Sequence, residues 1–212
     1  MTPITRFFCR TGAAALLAIL GAATSNAQPA GGQSPAGVDF PAGLDWQVMD
    51  FASLGYRPEQ YGTPAIRKRA SSIWQKTIDS FPKNTISSSG GVYPAFVLLG
   101  EYSDSRYRYS FSILSAAHTA YPLCEDPPNM GNEATPIYSM CPLRVVIESE
   151  ASGKQTSQDF PGYCAMLGFD EENRPQSENH TEIAFDQQAR TAYFRVFQYG
   201  KLVPSCNRAV KL

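Results

Sequence analysis

Four cysteines in the second half of this 212-residue chain, Cys124, Cys141, Cys164 and Cys206, constrain its fold more than any other feature. The fifth, Cys9, belongs to a segment that reads as an export signal and is set apart from the fold. There Arg6 and Arg10 form a basic start, and Ala13 to Ala23 supply a short apolar run. Ser25-Asn26-Ala27 then offers small side chains for cleavage before Gln28. The run is too short to span a bilayer as a helix. No cysteine follows it to take a lipid, so a lipoprotein is not expected. Its alanine-rich character points to a bacterial chain bound for the periplasm or the medium.

Loss of that segment leaves an even number of thiols in an oxidising compartment, which predicts two disulfides. Four cysteines allow three pairings. Nearest-neighbour closure, Cys124–Cys141 with Cys164–Cys206, is the simplest for antiparallel strands and their loops. A metal site is not expected, because there is no C-x2-C pair and neither histidine lies at ligand spacing from a cysteine. No cofactor is expected either.

Composition narrows the class further. Lys plus Arg number 18 against 19 Asp plus Glu, and only 17% of residues are charged while 43% are hydrophobic. Such a chain is globular, and it lacks the basic excess that nucleic-acid binding normally requires. The expected organisation is a cleavable signal over 1–27, a flexible Gly-, Pro- and Ala-rich lead over 28–43, and a single α+β domain over 44–212.

Within that domain a short helix is expected from about Asp45 to Leu54, closed by Gly55. A stronger one follows: Thr63 suits the N-cap and Pro64 the first helical position. Ile66, Ala70, Ile73, Trp74, Thr77, Ile78 and Phe81 then recur at helical spacing, and Pro82 ends the run. Beyond Gly91 the grammar changes to strands. Val92 to Tyr102 is mainly apolar. Tyr107, Tyr109, Phe111 and Ile113 alternate with Arg106, Arg108, Ser110 and Ser112, a half-buried strand. Leu143 to Glu150 reads as strand, with a shorter one returning toward Phe160. Thr181 to Asp186 and Thr191 to Tyr199 form a hairpin. The fold class is therefore α+β: one or two N-terminal helices packed on an antiparallel sheet of five or six strands, stapled by two disulfides.

Catalytic signatures are sparse. HExxH, the phosphate-binding glycine loops and G-x-S-x-G are all missing. Ser80 and Lys83 match S-x-x-K, but Pro82 breaks the helical turn that would join them. Glu178, His180 and Glu182 alternate, so a strand would set a carboxylate–imidazole pair on one face, yet nothing supplies that pair with a third ligand at recognisable spacing; His118 stands apart. Glu148 and Glu150 have the spacing of a sheet's wet face as much as of a glycosidase pair. No catalytic residue is assigned.

Two patterns point to binding instead. Arg67, Lys68 and Arg69 crowd the positive end of a helix, where an anion or acidic surface would relieve them. Tyr193, Arg195, Phe197 and Tyr199 fall opposite Ala192, Phe194 and Val196, and Arg106 and Arg108 lie opposite Tyr107 and Tyr109. Exposed tyrosine and arginine together are the composition of interfaces. The expectation is a non-enzymatic binding or accessory protein of the bacterial envelope, with another envelope or exported protein as its partner. It would serve as adaptor of a secretion, conjugation or pilus apparatus, or as inhibitor or immunity protein. A small-molecule or glycan carrier and a hydrolase without a familiar motif are the alternatives.

Overall fold

The structure, a computed structural model, describes residues 37–55, 58–80, 95–116, 123–127, 138–166 and 177–212. All of them belong to the second of two units into which the chain divides, Gly31–Leu212. The signal over 1–27, the start of the lead, His118 and Lys83 lie outside the described residues.

The helix forms where its caps place it. In α1 (Pro64–Asp79) the Thr63 hydroxyl accepts the Ile66 N–H at 3.2 Å, and Pro64 opens the first turn. Its apolar stripe buries Ala70, Ile73 and Trp74. The expected second helix over Asp45 to Leu54 is absent. That segment forms β1 (Gln47–Val48) and β2 (Asp50–Ser53), which belong to different sheets. Pairing decides the outcome. Val48 stands opposite Glu182, Phe51 opposite Leu98, and Met49 between them is buried in the core. Cross-strand partners and burial outweigh a weak local preference for helix.

Eight further strands complete the architecture: β3 (Ala95–Ser103), β4 (Tyr107–Ala116), β5 (Tyr138–Ser149), β6 (Gln155–Met166), β7 (His180–Asp186), β8 (Thr191–Gln198), β9 (Lys201–Leu202) and β10 (Arg208–Lys211). They make two antiparallel sheets of five strands each, where one sheet of five or six was expected. The first runs β2-β3-β4-β5-β6. The second runs β1-β7-β8-β10, with β9 also pairing β8. The described residues thus stay α+β, with one α-helix and the strands in two layers.

Three layers follow from which side chains meet. Leu98, Tyr109, Phe111, Leu143 and Val145 of the first sheet pack on Ile183, Ala192, Phe194 and Val210 of the second. On its other side the first sheet packs Ala52, Val97, Leu99, Leu114 and Val146 against Ala70, Ile73 and Trp74 of α1. The sheets approach tightly at Gly100, where an added Cβ would stand 2.8 Å from the Ile183 Cγ2. Only glycine fits there without a shift in a fully buried isoleucine.

The serines of β4 needed the tertiary structure to be understood. Their alternation reads as a wet face, yet Ser110 and Ser112 are wholly buried beneath α1. They are the acceptors for the helix's polar side chains. Trp74 Nε1 donates to Ser112 Oγ at 2.7 Å, and Arg69 donates to Ser110 Oγ at 2.8 Å. Arg144 of β5 lies over the Trp74 ring at 4.2 Å and donates to the Ile73 carbonyl at 2.8 Å. It also makes a bidentate pair with Asp159, both contacts 2.7 Å.

Both disulfides join the expected partners, Cys124–Cys141 and Cys164–Cys206. The first pins the segment around Cys124 to β5, beside the Glu125–Met140 bridge. The second ties the end of β6, in the first sheet, to the turn before β10 in the second. Each would contribute about 2–4 kcal/mol, with the longer closed loop gaining more in the chain-entropy account.

Candidate binding face

The hairpin of β7 and β8 turns alternate residues inward and outward. Thr181, Ile183, Phe194 and Val196 are buried. The residues between them form rungs across the outer surface of the second sheet. Val48, Glu182 and Arg195 make one rung across three strands. His180, Phe197 and Leu202 make the next. Ala184, Tyr193 and Ala209 make a third on the other side.

Arg195 is the hub of this face. Its guanidinium lies 4.0 Å from the centre of the Trp46 ring and 5.2 Å from that of Phe197. Its Nε donates to Glu182 Oε2. The other carboxylate oxygen, Oε1, meets His180 Nε2 at 3.0 Å, and the imidazole stacks on Phe197 at 5.0 Å. Phe40 closes the far end, edge-on to Trp46 at 4.9 Å and to Tyr193 at 6.0 Å. The described part of the expected flexible lead is therefore engaged with the sheet at Phe40, and the Val38 carbonyl accepts from Asn207 Nδ2. Ordered aromatic contacts on both sides leave Arg195 few rotamers to lose on binding.

Exposed apolar groups border the same cluster. Among the described residues three large hydrophobic side chains are well exposed: Val48 at 58%, Tyr199 at 55% and Leu202 at 41%. Val48 and Leu202 end the first two of the three rungs. Tyr199 stands at the tip of the β8–β9 hairpin, where it and Gly200 take φ of +52° and +70°. Positive φ at both turn residues suits a two-residue hairpin. For a bulky residue such as tyrosine it is strained, by about 1–3 kcal/mol. The Asn179 side chain holds the turn by accepting the Tyr199 N–H at 2.8 Å.

The other expected binding residues lie elsewhere. Arg67 donates to the Gly62 carbonyl at 2.6 Å, so it serves the loop before its own helix. Arg69 pairs with Glu101 at 3.1 Å and with Glu148 at 3.4 Å. These carboxylates relieve the cationic first turns from within the chain. Lys68 is exposed. Arg108 pairs loosely with Glu150 at 3.6 Å, and Arg106 lies 6.0 Å from the Tyr107 ring centre, both beside the turn between β3 and β4. Asp104 organises that turn by accepting the Arg106 and Tyr107 N–H groups at 2.7 Å each. Those bonds hold its carboxyl below the usual carboxylate range. Of the expected set, Tyr193 and Arg195 meet on one face through Phe40 and Trp46, and Tyr199 stands exposed at the tip of the adjoining hairpin.

Glu182, Trp46 and Phe40 complete that face and were not assigned to it from sequence. Trp46 reads as helix, and Phe40 falls in a stretch without apolar period. Glu182 had a signal in its alternation with His180, though nothing in sequence joins it to Arg195. The chemistry of the His180–Glu182 pair is limited by its second nitrogen: Nδ1 is buried and has no hydrogen-bond partner. The carboxylate thus occupies the one ring nitrogen that has a contact. Glu148 and Glu150, the acidic pair of the sequence, are each engaged by arginine. Among the described residues no cluster of three or more His, Cys, Asp or Glu could hold a metal ion. Nor among them is any helix long and apolar enough to cross a membrane. No protein-family model, curated protein or solved structure matches the chain.

Proposed function

We propose that this is an exported, non-enzymatic accessory protein of the bacterial envelope that binds another exported protein through the outer face of its second sheet. The observation that carries the reading is the coincidence on one face of Val48, Tyr199 and Leu202 with a locked Arg195. Exposed apolar side chains around an ordered arginine and aromatics are the make-up of interface hot spots. The two disulfides suit an oxidising destination, periplasm or medium. Adaptor and inhibitor are the two roles such a surface serves, and the partner's own activity separates them.

The test is co-purification from the native host's envelope fraction with wild-type protein and a Leu202→Asp variant side by side. The expected result is a stoichiometric partner on wild type whose recovery falls at least about tenfold on the variant. Wild-type protein recovered alone, or a partner held equally by both, would overturn the proposal.

A further inference from the structure

Among the described residues, three of the four sheet edges are short. β1 has two residues, and β2 and β10 have four each, with Asp50, Arg208 and Lys211 adding charge. The fourth edge, β6, has twelve. An edge strand presents unpaired N–H and C=O groups, and shortness, charge, proline or a bulge are the usual protections against pairing with another chain. In β6 two of these begin only at Pro161-Gly162, where the register against β5 shifts and Gly162 takes φ +76°. Before them Gln155, Thr156, Ser157, Gln158 and Asp159 are all exposed. Asp159 brings the one charge among these five, and Arg144 compensates it through two 2.7 Å contacts.

We propose that a second copy of this chain pairs antiparallel with β6 over residues 155–159, about a two-fold axis perpendicular to the sheet. Such an axis sets one residue opposite itself, and centring it on Ser157 matches the two open windows. Thr156 then faces Gln158 of the second copy, Gln155 faces Asp159, and Lys154 faces Phe160. No like charges meet, and the Thr–Gln and Gln–Asp pairs can hydrogen-bond across the strands. A strand with uncompensated charge would repel its own copy; this one does not. The first sheet continues unbroken through both subunits, an isologous closure that leaves no further β6 edge for growth. The surface involved is in the first sheet, separate from the face assigned to the partner above. An interface of this size is weak, with Kd on the order of 100 μM.

Sedimentation velocity of the oxidised full chain over a concentration series tests this. Two double variants at exposed positions, Thr156→Lys with Gln158→Lys and Thr156→Glu with Gln158→Glu, set like charges opposite each other across the axis. Each should raise Kd at least about tenfold. Mixing the two variants should restore association to the wild-type level or beyond, which a general loss of folding could not do. Wild-type protein that stays monomeric at the highest concentration would overturn the proposal. So would variants that associate as wild type does, or a mixture that associates no better than either alone.

Discussion

The molecule uses one arrangement twice, and the contexts differ. Under α1, Arg144 lies 4.2 Å from the Trp74 ring centre and pairs with Asp159. On the outer face of the second sheet, Arg195 lies 4.0 Å from the Trp46 ring centre and pairs with Glu182. Trp74 is 1% exposed, sealed beneath its own sixteen-residue helix, whose first turn is capped by Thr63. Trp46 is only half-buried and sits just before a two-residue strand. The first arrangement joins two layers; the second is finished on one side and open on the other. Identical chemistry is a clamp where a third layer covers it and, in the function proposed above, a recognition surface where none does.

The strongest way to break this comparison is at the two tryptophans. Trp74→Ala should cost about 3–5 kcal/mol, because it opens a cavity and strips Ser112 of its donor. Chemical denaturation with a two-state fit measures it. Arg144→Ala comes next, at about 1–3 kcal/mol. Asp159 is exposed enough to recover water, so the loss falls mainly on the helix carbonyl at Ile73 and on the Trp74 contact. The same denaturation, with the disulfides kept oxidised, gives the value. Trp46→Ala should be smallest in stability, at about 1 kcal/mol or less, while it frees Arg195 and weakens partner capture. Equal melting losses for Trp46→Ala and Trp74→Ala would erase the distinction between clamp and surface. A Trp46 variant with unchanged capture would sharpen the surface to Val48, Tyr199 and Leu202 alone.

Local chemistry made much of this protein legible. Thr63 and Pro64 fixed the start of α1 because an N-cap hydroxyl and a proline act within one turn. The β7–β8 hairpin followed from a period of two, with Ala192, Phe194 and Val196 inward and Tyr193, Arg195 and Phe197 outward. The disulfide pairing followed from cysteine order along neighbouring strands. The candidate face was half-legible: its β8 residues were visible, while Phe40 and Trp46 were hidden in segments with no period of their own.

What sequence alone could not decide were the choices made by distant partners. Asp45 to Leu54 has enough helix character to suggest a turn or two, but β3 and β7 claim it from opposite sheets. Ser110 and Ser112 look like a solvated stripe, and become buried because α1 brings an arginine and a tryptophan that need acceptors. The two sheets meet where Gly100 leaves room for Ile183 from across the core, 83 positions away along the chain. Capping and alternation are settled within a few residues, so the sequence determines them. Layering and the closure of one arginine site but not the other depend on which surfaces meet, and only the tertiary structure decides that.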